Sequence, residues 1–425
     1  MKLADMSKNE LAAMRKGLQE QYNEFKARKL SLDMSRGKPS LQQLDLAVPM
    51  LNALDDHNFC DETGMDVRNY GQLAGIPEAR RLFAEILDMP FEQVIVGGAS
   101  SINMLHDAIK RCFLNGAYPG GKAWAKLDTV KFICPVPGYD WHFHICDTFN
   151  IEMIPVIMNE DGPDMDAVEK LAASDDAIKG MICVPMYSNP GGNTYSDEVV
   201  KRLGAMKTAA PDFRLFWDNA YCMHHLDHND RDYLYNIYTA CKDAGNEDRV
   251  LMFTSTSKIT MAGSGICCMA GSPKNIAYAL SLLQYQLVCF DKVNQLRHVR
   301  FLPTKAAVEA HMEKHAAILR PKFTAVLDAL DKEIAPYDIA HWHKPKGGYF
   351  ICFYAPEGCA KKIVAMCKEA GVTLTPAGAP YPHGIDALDS TLRIAPTLPP
   401  VEELKQVMVL FCICVKLAAV EKLLA

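Results

Sequence analysis

Through the middle of the chain, short runs rich in branched and aromatic residues alternate with helical patterns, and this alternation limits the fold more than any other feature. "QVIVGG" leads into "SINMLHDAIKRCF", "TVKFICPVPGY" into a helix-like stretch, and "IKGMICVPMY" into "SDEVVKRLGAMKTA"; "FRLFWDNAY" and "RVLMFTSTS" follow. The rhythm predicts βαβ units, and therefore an α/β fold with a mostly parallel sheet wrapped by helices. In such a sheet, functional groups collect at the carboxyl ends of the strands.

After about residue 300 the pattern changes to a long helical stretch, "TKAAVEAHMEKHAAILRPKFTAVLDALDKEI", then short strands in "GGYFICFYAP" and "STLRIAPT", then a last helix. This predicts a second, smaller α+β lobe. The expected organisation is an N-terminal arm with part of the small domain over residues 1–50, a large domain over 51–300 and the C-terminal small domain over 301–425. No Ser/Gly-rich linker marks the joins, and neither internal repeats nor low-complexity tracts occur.

Composition excludes several classes of function. The formal charge of −6 carries no basic run, which argues against nucleic-acid binding. The 15 cysteines lie singly or in unpatterned pairs, without metal-ligand or disulfide-framework spacing, as expected of reduced thiols in a cytoplasmic protein. The N-terminal stretch is a charged amphipathic helix and not a signal peptide, and the apolar run "VMVLFCICVKLAAV" is broken by Lys416, so no membrane span is expected.

Chemistry gathers just beyond the predicted strand ends. In "VGGASSINML", Ala99, Ser100 and Ser101 lead from a strand into a helix, where exposed N–H groups and the helix dipole suit a phosphate. In "YSNPGGNTYS", Asn189 sits on a rigid turn and can aim its amide at a ligand oxygen, although Asn-Pro and Gly-Gly are also ordinary turn punctuation. In "LFWDNAYCM", Asp218 closes an apolar strand and is costly there unless a cationic partner meets it, while Tyr221 can offer a hydroxyl to the same ligand. Finally Lys258 follows "TSTS"; an amine kept among Ser255, Ser257 and their neighbours, away from full hydration, loses its proton more readily and suits Schiff-base chemistry. A phosphate cradle, an Asp for a pyridinium nitrogen, an Asn and a Tyr for a phenolate oxygen, and a Lys for an aldehyde are together the binding groups of pyridoxal 5'-phosphate.

On these residues the chain resembles the fold type I pyridoxal-phosphate enzymes, and within them the class I aminotransferases, over nearly its whole length. "NYGQLAGIPEARRLFAEIL" looks like the segment whose tyrosine, here Tyr70, reaches the cofactor phosphate of the partner subunit in that family. "PVPGYDW" matches the place of the aromatic that stacks on the pyridine ring, assigned to Tyr139 ahead of Trp141, and "TLRIAP" resembles the element whose arginine, here Arg393, grips the substrate α-carboxylate. "LDMSRGKPSLQQLDL", "STSKITMAGSGI" and "DKVNQLRHVRFLP" look like the divergent branch of aspartate aminotransferases called subgroup Ic. The resemblance implies the pyridoxal-phosphate transferase fold, with a large domain built on a seven-stranded-type sheet, and a homodimer with shared active sites. It also implies ping-pong transfer of an amino group, most readily from L-aspartate to 2-oxoglutarate, through Lys258 as catalytic base with Asp218 and Tyr221. Gly37, Arg36, Asn189 and Arg393 form the implied substrate-binding set. For a distal carboxylate, Arg36, Lys38, Arg297 and Arg300 are all candidates.

One departure stands out. Common class I enzymes place an arginine shortly after the Schiff-base lysine to neutralise the phosphate, whereas "ITMAGSGICC" has no basic residue. Other readings remain open at this level. An aminotransferase for aromatic or alanine-like donors, or a lyase, would use nearly the same residues. A non-catalytic sensor would need a basic DNA-binding domain, for which the stretch ahead of Leu32 is expected to leave no room. His224 and His225 are expected to pack locally and not to bind metal.

Overall fold

The computed structural model describes residues 2–54 and 57–425. Its main sheet runs, in spatial order, Val94–Gly97, Cys267–Gly271, Val250–Ser255, Arg214–Asp218, Ile178–Cys183, Lys131–Val136, Glu152–Asn159 and Gly162–Pro163. The five strands from Val250–Ser255 to Glu152–Asn159 pair in parallel, and Cys267–Gly271 runs antiparallel between Val250–Ser255 and Val94–Gly97. The expected seven long strands are all there; the eighth is a two-residue edge formed where the chain folds back against Met158 and Asn159. Four of the inner strands, Cys267–Gly271, Val250–Ser255, Arg214–Asp218 and Ile178–Cys183, are buried at every position with no alternation, as expected of a sheet covered by helices on both faces.

The antiparallel strand has a positional consequence. Gly97 and Ser255 both lie opposite Cys267, so the carboxyl ends of Val94–Gly97 and Val250–Ser255 meet on the same edge as Asp218. The loops carrying Ala99 to Ser101, Tyr139, Asn189, Asp218 and Ser255 to Lys258 therefore open on one side of the sheet.

A second core forms around a three-stranded antiparallel sheet, His341–Trp342, Ile351–Tyr354 and Thr391–Ile394, covered by the C-terminal helix Val401–Leu424. That helix is buried almost all round from Leu404 to Val420, which accounts for its unbroken apolar sequence. Lys416 is accommodated by an ion pair with Glu333 at 2.9 Å. Among the described residues no helix is long and apolar enough to cross a membrane. The first long helix, Lys8–Ala27, starts with a Ser7/Glu10 capping box and lays Leu11, Leu18 and Tyr22 into this second core. Helix Lys305–Glu333 joins the two bodies: Val308 and Met312 belong to the core of the large sheet, Leu319, Phe323, Val326 and Leu330 to the other.

Candidate active site

Asp218 ends its strand at 2% exposure. Its Oδ2 accepts a hydrogen bond from Nε2 of His142 at 3.0 Å; a carboxylate can only accept, so the imidazole carries the hydrogen there. Its Oδ1 is buried with no partner at all. A buried carboxylate oxygen left bare costs free energy on the order of 1–3 kcal/mol, more when charged, and so marks a place prepared for a donor. A protonated pyridine nitrogen supplies such a donor.

Lys258 is half-buried in the turn that directly follows Val250–Ser255, with Nζ 5.0 Å from the centroid of the Tyr221 ring. Burial pulls its ammonium below the usual lysine range, while the charge of Asp218 works in the opposite direction. Its carbonyl accepts from the Tyr349 hydroxyl at 3.4 Å, and Tyr349 is in turn held by Gln43 at 3.1 Å. Tyr221 is buried, and burial first, then the neighbouring Tyr139 and Asp218, raises its phenol well above the ordinary value. The amine, the carboxylate and the phenol thus share one neighbourhood.

Arg393 sits opposite Cys352 in the small sheet and points toward the large one. Nη1 donates to Asp140 Oδ1 at 2.9 Å and to Asn189 Oδ1 at 3.2 Å, Nε to Thr375 Oγ1 at 3.4 Å, and the guanidinium lies 5.1 Å from the centroid of Phe350. Because the Asn189 oxygen is spent on Arg393, the NH₂ end of that amide is the one left to meet a ligand oxygen. Gly37 packs flat on the same Phe350 ring; a Cβ there would fall 2.3 Å from a ring carbon, so the close approach requires glycine. Ser35 O accepts from Thr375 Oγ1 at 2.7 Å, which fixes the "SRGKP" segment beside Arg393 and leaves Arg36 exposed next to it.

Of the two aromatic candidates, Tyr139 is half-buried with its ring 4.9 Å from that of His142, whereas Trp141 is 56% exposed and turned away. Ser100 stands at the N-cap of Ser101–Asn115, yet its hydroxyl does not cap the helix; the Asn103 N–H donates to the Ser100 carbonyl at 3.0 Å, and no side chain caps the N–H groups ahead of it, which face the place where an anion would sit. Ser255 and Ser257 share a hydrogen bond of 2.8 Å. Tyr70 is 74% exposed on the surface.

The structure thus brings together the residues named from the strand ends with Gly37, Asn189 and Arg393. Of the further cationic candidates, Arg300 donates to the carbonyls of Asn58 and Cys60 at 2.8 and 3.4 Å, and Arg297 donates through Nη2 to Ser264 and Asn294. Sequence reasoning also missed His142 and Asp140. Both lie in the first turn of helix Asp140–Thr148, just after Tyr139, where a lone His and an Asp carry no signal until Asp218 and Arg393 are seen to reach them.

A family profile described as "Aspartate amino-transferase" matches residues 6–425. The chain is 45% identical over 419 residues to an aspartate aminotransferase of Corynebacterium glutamicum, an alignment covering 99% of this chain and 96% of that one. A crystal structure of an aspartate transaminase from the same organism superposes with a TM-score of 0.97 at 44% identity, covering 99% of both chains. At fold level alone, the α-aminoadipate aminotransferase LysN of Thermus thermophilus, solved with N-(5'-phosphopyridoxyl)-L-leucine, matches with a TM-score of 0.72 at 21% identity over 94% of this chain and 95% of that one.

Proposed function

The chain belongs to the aspartate aminotransferase family and is an aminotransferase, and from that premise we propose that it transfers the amino group of L-aspartate to 2-oxoglutarate with pyridoxal phosphate held at Asp218, Tyr139 and Lys258. The observation that carries the cofactor assignment is the bare, buried Oδ1 of Asp218. The donor set fits the group: a carboxylate for the ring nitrogen, an aromatic face in Tyr139, the Asn189 amide and Tyr221 hydroxyl for the phenolate, and the Ala99–Ser101 turn with Ser255 and Ser257 for the phosphate.

When bound, pyridoxal phosphate supplies an aldehyde that links to the amino group and a ring that takes up the electrons of the broken Cα–H bond. Everything else falls to this chain's side chains. Asp218, oriented by His142, keeps the ring nitrogen protonated. Lys258, its amine kept by burial in a form that gives up its proton easily, would take up and hold the α-proton of the substrate. Arg393 holds the α-carboxylate and thereby turns the Cα–H bond toward the lysine; a planar fork with two parallel donors fixes that orientation better than a point charge. Arg36, exposed beside Gly37 and in no ion pair among the described residues, offers the charge for the distal carboxylate. The working form is a homodimer in the cytoplasm, in which Tyr70 extends to the partner's cofactor phosphate; its large exposure in the single chain supports that role.

The test is a steady-state assay with L-aspartate and 2-oxoglutarate, following oxaloacetate and glutamate together. Parallel double-reciprocal lines with equimolar products support the proposal. Pyruvate and ammonia in place of oxaloacetate would indicate a lyase, and turnover only with aromatic or alanine-like donors would replace aspartate.

A further inference from the structure

The segment after Lys258 contains no basic residue, and hydroxyls and helix N–H groups meet a phosphate's hydrogen bonds without cancelling its charge. The turn at Ser264–Gly265 lies directly against the phosphate-binding residues. A Cβ on Gly265 would fall 2.7 Å from the Ala99 carbonyl oxygen and 3.0 Å from both N and Cα of Ser257, so this turn is wedged between the two cradle segments and only glycine fits.

Helix Lys292–Phe301 clamps that turn from behind. Asn294 Nδ2 donates to the carbonyls of Ser264 and Gly265 at 3.2 and 3.1 Å, and Arg297 Nη2 donates to Ser264 Oγ and Asn294 Oδ1, both at 2.6 Å. One turn along the same helix face, His298 meets Thr260 Oγ1 at 3.0 Å, tying the helix to the Lys258 loop a second time. Asp291, the nearest acid in sequence, is used as the helix cap on Asn294 N at 2.9 Å. Among the described residues no carboxylate pairs with Arg297, whose Nη2 meets only Ser264 and Asn294, and its Nε is buried without a partner. A half-buried guanidinium that meets only neutral groups is expensive unless an anion arrives.

We infer that Arg297 supplies the positive charge that balances the cofactor phosphate, acting through the Ser264 hydroxyl, in place of the arginine that common class I enzymes carry after the lysine. The inference rests on the pyridoxal-phosphate reading above. It moves Arg297 from the substrate's distal carboxylate to the opposite end of the cofactor.

The experiment compares apoenzyme binding of pyridoxal phosphate and of pyridoxal, which lacks the phosphate, in wild type, Arg297→Gln, Arg297→Lys and Ser264→Ala, by fluorescence titration, with the ³¹P resonance of the bound phosphate followed against pH. Arg297→Gln is expected to weaken pyridoxal phosphate by about 10- to 100-fold, the usual range for one charge-assisted bond, and to leave pyridoxal within about twofold of wild type, because the lost interaction involves only the phosphate. Arg297→Lys restores part of the affinity, and Ser264→Ala, which leaves the helix intact, shifts it in the same direction by less. The ³¹P resonance stays that of the dianion in wild type and titrates in Arg297→Gln. Equal loss for pyridoxal and its phosphate, or no loss in either Arg297→Gln or Ser264→Ala, overturns the inference while the cofactor reading stands. Failure of the wild-type apoenzyme to bind pyridoxal phosphate overturns the cofactor reading itself.

Discussion

Arg393 is not idle before substrate arrives: Asp140 already occupies it. Their 2.9 Å pair has side chains 8% and 21% exposed, so it is neither fully buried nor a surface contact. At an effective dielectric constant of about 20, two charges at that distance attract by about 6 kcal/mol before desolvation is counted, and a hydrogen bond to a charged group retains a net worth on the order of 1.5–3 kcal/mol. On the proposed reading, an incoming α-carboxylate would have to take Nη1 from Asp140 and give up that net amount. Asp140→Asn removes the competing charge with little change of shape, so binding of any substrate carboxylate should tighten by about 10- to 100-fold, at 1.4 kcal/mol per decade. The clean measurement is the inhibition constant of maleate, an unreactive dicarboxylate, because KM mixes binding with chemistry. The same substitution leaves Arg393 short of a counter-charge in the free enzyme, which should lower thermal stability by about 1–3 kcal/mol, regained when maleate is added. An unchanged or weakened maleate constant in a variant with wild-type circular dichroism would refute the competition, and would mean that Asp140 orients the arginine for the substrate instead of standing in for it.

Other perturbations follow from the same geometry. Lys258→Ala should lose at least about 10²–10⁴-fold in turnover, the usual share of one positioned acid–base group, while cofactor fluorescence still reports binding through the phosphate and ring contacts. His142→Phe leaves Asp218 Oδ2 without its donor; unfolding in urea should show a loss of about 1–3 kcal/mol, and kcat should fall more than KM rises, since on the proposed reading the carboxylate would touch the cofactor and not the substrate. For pH, burial pushes His225 and His298 down to about 4 and His315 to about 3, with nearby Arg231, Arg297 and His311 charges adding to their respective shifts. These imidazoles are neutral in the folded chain and bind protons only on unfolding. The unfolded state therefore binds more protons between about pH 6.5 and 4, and stability should fall as pH falls through that window. Urea midpoints measured across it should flatten in a His298→Gln, His315→Gln variant; an unaltered slope would assign the loss to other groups.

The branched-residue runs, the turn chemistry after each and the identity of the residues just past the strand ends were enough to predict the parallel sheet and to name Asn189, Asp218, Tyr221 and Lys258, because strand periodicity and turn residues are local properties. Gly37, Arg36 and Arg393 came from resemblance, since they converge from segments more than three hundred residues apart in the chain, and spacing alone does not join them. What only the tertiary structure decided is who partners whom. That Asp218 keeps one oxygen for His142 and one bare, that Arg393 is held by Asp140, that Tyr139 and not Trp141 faces inward, and that Arg297 is clasped to Ser264 are all outcomes of burial. In water each of these side chains would be satisfied by solvent; once the two cores exclude it, every polar atom has to find a particular neighbour, and that choice is made in three dimensions.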